Sequence, residues 1–77
     1  MSKLIFTGNF EDLRKKGYEY KLEDVAGQNY FVKRIKSKIT NNELAIFINR
    51  RNKEISFVGD MNYKYVLLAE IDYEIKD

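Results

Sequence analysis

The chain has 77 residues, with 14 Lys and Arg against 12 Asp and Glu for a net charge of +2, and it contains no cysteine, histidine, proline or tryptophan. That length suits one domain (1–77), and the missing cysteines remove disulfides, thiolate nucleophiles and thiolate metal sites. The missing histidines remove the usual general base and the commonest transition-metal ligand, so triad-type acyl transfer loses its chemistry.

The remaining hydroxyls, Ser2, Ser37, Ser56, Thr7, Thr40 and the tyrosines, have no neighbouring residues that would activate them. The chain is therefore read as a non-enzyme with no cofactor and no metal. No apolar run is long enough to span a bilayer, and the N-terminus lacks a signal-peptide core. These features point to a soluble protein of a reducing cytoplasm, with no membrane partner.

Leu4-Ile5-Phe6 reads as a short strand, broken by Thr7-Gly8-Asn9. Asn9 is placed to cap a helix through the amides near Glu11 or Asp12, and Gly17 is placed to end it in a left-handed conformation. Acidic Glu11 and Asp12 at the start, with Arg14, Lys15 and Lys16 at the end, complement the helix dipole. Phe10 and Leu13, three apart, share one face. A helix of two turns is too short to persist alone, so it must pack on a sheet.

Tyr18, Tyr20 and Leu22 alternate with Glu19, Lys21 and Glu23, the pattern of a strand with one wet face. Asp24 to Asn29 reads as a turn. From Tyr30 to Ile39 a long strand is expected, with Phe31, Ile35 and Ile39 in phase and Tyr30, Val32, Arg34, Lys36 and Lys38 on the other face. After a turn at Thr40 to Glu43, the segment Leu44 to Asn49 is apolar on both faces, which places it in the middle of a sheet covered on both sides. Arg50 to Lys53 forms the next turn, and Ile55 and Phe57 alternate with Glu54 and Ser56 as the returning strand of a hairpin.

Beyond a break at Gly59 to Asn62, apolar residues recur at every second position from Tyr63 to Ile75, which predicts a long C-terminal strand bent near Ala69. A helix over Asn62 to Glu70 is the alternative. The fold class that results is α+β: a small, mostly antiparallel sheet of five or six hairpin-connected strands with one short N-terminal helix packed on it, sequence neighbours being neighbours in space.

Charge divides the chain. Residues 1–53 hold twelve Lys and Arg against six Asp and Glu, net +6, while residues 54–77 hold two against six, net −4. Arg14, Lys15 and Lys16, then Lys33, Arg34, Lys36 and Lys38, then Arg50 and Arg51 with Lys53 supply the excess. With Tyr30 beside Arg34, they form a candidate surface for a protein partner or for nucleic acid, the hairpin tip at Arg50 and Arg51 converging with the basic end of the preceding strand. Against this stands the plainer reading that a small sheet needs such charges on its wet faces and edges.

Phe6, Phe10, Phe31, Phe47 and Phe57 read as core. Tyr63, Tyr65 and Tyr73, with Glu70, Asp72 and Glu74, suggest an aromatic and acidic partner surface. The three carboxylates, two residues apart, would share one strand face at a spacing that can hold a hard cation. No other residue completes such a site, so a solvated acidic face is preferred.

The segment Phe6-Thr7-Gly8-Asn9-Phe10-Glu11-Asp12-Leu13, ending in Lys15-Lys16-Gly17-Tyr18, resembles a stretch common in short uncharacterised proteins of Gram-positive phages and mobile elements. That population includes non-enzymatic inhibitors of host defence, among them anti-CRISPR proteins that bind Cas nucleases. The resemblance implies an inhibitor in the cytoplasm of a bacterial host cell, with a nuclease or nucleoprotein complex as its partner. It assigns no residue a role. The alternative is a nucleic-acid-binding accessory protein using Arg34, Lys36, Lys38, Arg50 and Arg51.

Overall fold

The computed structural model describes residues 2–22 and 28–77. In chain order the elements are β1 (Lys3–Phe6), α1 (Phe10–Lys15), β2 (Glu19–Leu22), β3 (Asn29–Lys36), β4 (Glu43–Asn49), β5 (Ile55–Gly59), a 3-10 turn (Met61–Tyr63), α2 (Lys64–Leu68) and β6 (Tyr73–Lys76). Of the turn expected between β2 and β3, residues 24–27 lie outside the described residues, and Asn29 already belongs to β3.

Four strands form an antiparallel meander in the order β2-β3-β4-β5, and β1 pairs with β6 as a separate two-stranded sheet. The class is α+β and mostly antiparallel, but among the described residues the strands divide between two sheets and there are two short helices rather than one. Nor are all sequence neighbours paired: β1 meets β6 from the far end of the chain, with Leu4 opposite Ile75 and Phe6 opposite Tyr73. A single bridge between Ile5 and Glu54 and a hydrogen bond from the Phe6 amide to the Lys53 carbonyl (2.8 Å) tie β1 to the start of β5.

Local chemistry explains α1. The Asn9 side chain accepts a hydrogen bond from the Glu11 amide (2.9 Å), satisfying one free donor of the first turn. At the other end Gly17 has φ +90°, its amide donates to the Arg14 carbonyl and the Tyr18 amide donates to the Leu13 carbonyl. This is the paired closure of a glycine-stopped helix. Gly59 is held more tightly: at φ +121°, an added Cβ would lie 2.1 Å from the Glu43 carbonyl oxygen, so a side chain there would force β4 and β5 apart.

The core lies on one side of the meander. Phe31, Leu44, Ile46, Ile48 and Ile55 face inward and pack with Phe6, Leu13, Leu67, Leu68 and Ile71. Both described helices sit on that side. The outer face carries Val32, Ala45, Phe47 and Val58, which face away from the core cluster. β4 is central, as its composition predicts, but among the described residues no helix covers its outer face, and Phe47 is half-buried there rather than in the core.

Three further expectations are corrected. β2 is an edge strand exposed along its whole length, and of Tyr18, Tyr20 and Leu22 only Tyr18, just before it, is buried. β3 stops at Lys36, because the Ser37 hydroxyl accepts from the Ile39 and Thr40 amides and turns the chain, leaving Ile39 94% exposed.

The segment from Tyr63 to Ile75 is not one strand. Its buried residues are Leu67, Leu68 and Ile71, with Tyr63 packed against them, a spacing of one helical face rather than of alternate positions. Asp60 starts the turn by accepting from the Asn62 amide (3.0 Å), and only Tyr73–Lys76 is strand.

Candidate interaction surface

Phe10 projects from α1 onto the inner side of β3, where its ring stacks on Phe31 with centroids 5.1 Å apart and 15° between planes. Phe6 lies 5.3 Å from Phe10 on one side, and Tyr20 lies 5.0 Å from Phe31 on the other, so four aromatic rings form a row from β1 to the exposed edge strand. The Arg50 guanidinium carbon lies 4.7 Å from the Phe10 ring centroid. Such stacking keeps a cation over the negative face of the ring.

Arg50 is held there by the β4–β5 turn. The Asn49 side-chain oxygen accepts from the Arg51 (2.8 Å) and Asn52 amides, its nitrogen donates to the Gln28 side chain (3.0 Å), and the Arg50 amide donates to the Asn29 carbonyl (2.9 Å). Phe10, Glu11, Arg14, Phe31 and Arg50 together line an open depression of about 270 Å³. Two guanidinium groups thus stand beside a half-exposed aromatic face. Arginine and aromatic residues in such a setting are the types that dominate protein contacts, and they can also stack an unpaired base.

The other basic residues do not join this depression. In the register Tyr30 faces Asn49 while Lys36 faces Glu43, so the Arg50–Arg51 turn and the Lys36 end of β3 are about 20 Å apart at the usual strand rise. The expected convergence of these clusters therefore fails: an antiparallel hairpin returns the next turn to the start of β3, not to its end. Tyr30, Arg34 and Lys36 also point to the outer face, away from Phe10. Tyr30 is half-buried, its hydroxyl donating to Gln28 (2.6 Å) and its ring meeting Phe47 edge-on at 6.1 Å. Lys38 and Arg51 are exposed in turns. Lys15 is exposed at the end of α1, and the Lys16 ammonium donates to the Glu70 carbonyl.

The aromatic and acidic residues of the C-terminal part are likewise dispersed. Tyr63 packs against the core, and Tyr65 stands 68% exposed on α2 with the Lys64 ammonium 5.1 Å from its ring centroid. Glu70 follows α2, Asp72 lies in the connection to β6, and Glu74 is in β6 opposite Ile5 and paired with Lys76 at 3.4 Å. They share no strand face, because the strand on which that stripe rested is largely helix and turn. Among the described residues no group of three or more His, Cys, Asp or Glu could hold a metal ion.

One cluster escaped sequence reasoning. Lys33 faces inward between Phe31 and Ile35, pairs with Glu70 at 2.7 Å, and places its ammonium 5.7 Å from the centroid of the Tyr18 ring. The Tyr18 hydroxyl is buried with no hydrogen-bond partner among the described residues, and burial, reinforced by the Glu70 charge, pushes its pKa above the usual phenol value. A lysine interrupting the apolar phase of β3 was the visible signal. Its partner Glu70 could not be read without α2 in place.

Comparison with protein-family models, with curated proteins and with solved structures returns no significant match. Among the described residues no helix is long and apolar enough to cross a membrane.

Proposed function

We propose that this is a non-catalytic binding protein that docks on a protein partner through the depression between α1 and the β4–β5 turn. The observation that carries this reading is the Arg50 guanidinium stacked on Phe10 beside Arg14, in an open concavity. Arginine and aromatic side chains that are already positioned lose little freedom on binding, which is why they make efficient contact points. The partner class we propose is a bacterial defence nuclease or its nucleoprotein complex, met in the bacterial cytoplasm, as the phage-type resemblance of Phe6 to Tyr18 suggests. The dispersal of Arg34, Lys36 and Lys38 to the other end and face of the sheet favours a compact protein contact over a continuous track for a nucleic-acid strand.

The test is capture by immobilised protein from bacterial lysates that contain such a nuclease, with Arg14→Glu/Arg50→Glu as the comparison. The expected result is one stoichiometric nuclease retained by the native chain, inhibited by it, and released by the variant, whose circular dichroism is unchanged. Recovery of chaperones alone, or equal capture by the variant, overturns the reading. Titration with DNA and RNA at low salt covers the accessory-protein alternative: binding that weakens steeply with salt and depends on Arg34 and Lys36 would favour it.

A further inference from the structure

β2 ends the four-stranded sheet, so among the described residues its outward backbone amides and carbonyls have no strand beside them. Such an edge is a template for another strand unless it is covered, bent or charged. Here the four residues Glu19 to Leu22 are all exposed, with Tyr20 at 42% and Leu22 at 71%. Their charges are balanced within the strand: Glu19 and Lys21 share the outer face, 3.9 Å apart.

The geometry points to this edge as a self-complementary interface, on which β2 of a second copy of this chain pairs antiparallel about a two-fold axis through Tyr20. In a continuous sheet, opposite residues face the same side, so only positions of like parity can meet across the axis. Centring the axis on Glu19 sets carboxylate against carboxylate. Centring it on Lys21 sets ammonium against ammonium. An axis at Leu22, the last residue of β2, pairs only that residue within the strand, against three for an axis at Tyr20.

An axis at Tyr20 places Glu19 of each copy opposite Lys21 of the other, two ion pairs from one sequence, and sets Tyr20 against Tyr20 on the inner face. The same register brings each exposed Leu22 alongside position 18 of the second copy. It also joins the two rows of rings that end at Tyr20, making one aromatic layer under an eight-stranded sheet.

A four-residue edge buries less than the roughly 1,200 Å² of a standard interface, so the dimer forms reversibly and with concentration. This inference does not rest on the partner-binding reading, because Arg14 and Arg50 take no part in it.

The experiment is sedimentation equilibrium in low salt from micromolar to millimolar protein. The native chain should pass from monomer to dimer, and added salt should weaken the association. Lys21→Glu and Glu19→Lys each make both cross-strand pairs repulsive and should raise the dissociation constant on the order of tenfold or more. An equimolar mixture of these two variants should recover the dimer, since each acidic edge then meets a basic one. That recovery separates edge pairing from general damage, and circular dichroism confirms that each variant is folded. A native chain that stays monomeric at millimolar concentration overturns the proposal, as do single variants that dimerise like the native chain, or a folded mixture that does not associate.

Discussion

On the inner side of β4, Leu44, Ile46 and Ile48 lose all accessible surface beneath α1, α2 and β1, whereas on the outer side Ala45 and Phe47 are screened by neighbours in their own sheet such as Tyr30 and Val32. Both faces carry apolar residues, so the presence of apolar side chains alone does not decide which face becomes the core. The difference lies in what returns over the strand: Phe6, Phe10, Leu67 and Leu68 all arrive from the same side. The inner face also accepts two polar intruders, Lys33 and the Tyr18 hydroxyl, that the outer face could have kept in water.

This contrast can be broken most strongly at Ile46. Ile46→Ala leaves a cavity in a fully enclosed site and should cost about 4 kcal/mol in urea unfolding. Phe47→Ala, next to it in sequence but half-open to solvent, should cost about 2 kcal/mol, because part of the ring is never removed from water. Equal losses at the two positions would mean that the outer face is as enclosed as the inner one.

Tyr18→Phe tests the intruder and should stabilise the fold by about 1 kcal/mol, since it deletes a buried hydroxyl without a partner. The pH dependence has a fixed sign. The folded state holds the Tyr18 proton above the usual value of 10.0, so this group leaves the native chain's stability unchanged below pH 10 and lowers it as pH rises beyond. Thermal melts from pH 9 upward should show a shallower alkaline decline for Tyr18→Phe than for the native chain. Smallest of all is Val58→Thr on the outer face of β5, where 64% exposure leaves little packing to lose and the change should stay within about 0.5 kcal/mol.

The parts of the fold that were legible in the sequence are those whose signals are local. Asn9, Gly17 and the charge order around α1 act within a few residues, and the two-faced apolar run of β4 needs only its own composition to be placed centrally. From Tyr63 to Ile75 two periodicities overlap. The alternation includes Tyr65 and Ala69, both exposed, and omits the buried Leu68, and only the tertiary environment of Leu67, Leu68 and Ile71 selects the helix. The candidate surface was half visible: Arg14 and Arg50 stood out as basic, but their meeting over Phe10 depends on the hairpin register and on α1 folding back across β3. The same register separates Arg50 from Lys36, which proximity in the chain had seemed to unite.

The pairing of β1 with β6 also dictates an order of events. The meander can assemble from hairpins whose partners are close in sequence, while β1 and β6 must close a loop of about 70 residues, an entropic cost that delays their contact. Phe6, buried in the final core, has its neighbour across the ladder, Tyr73, only when the last segment arrives. During synthesis β1 can meet Lys53 and Glu54 before β6 exists, and its ladder with β6 is the clasp that the last segment closes.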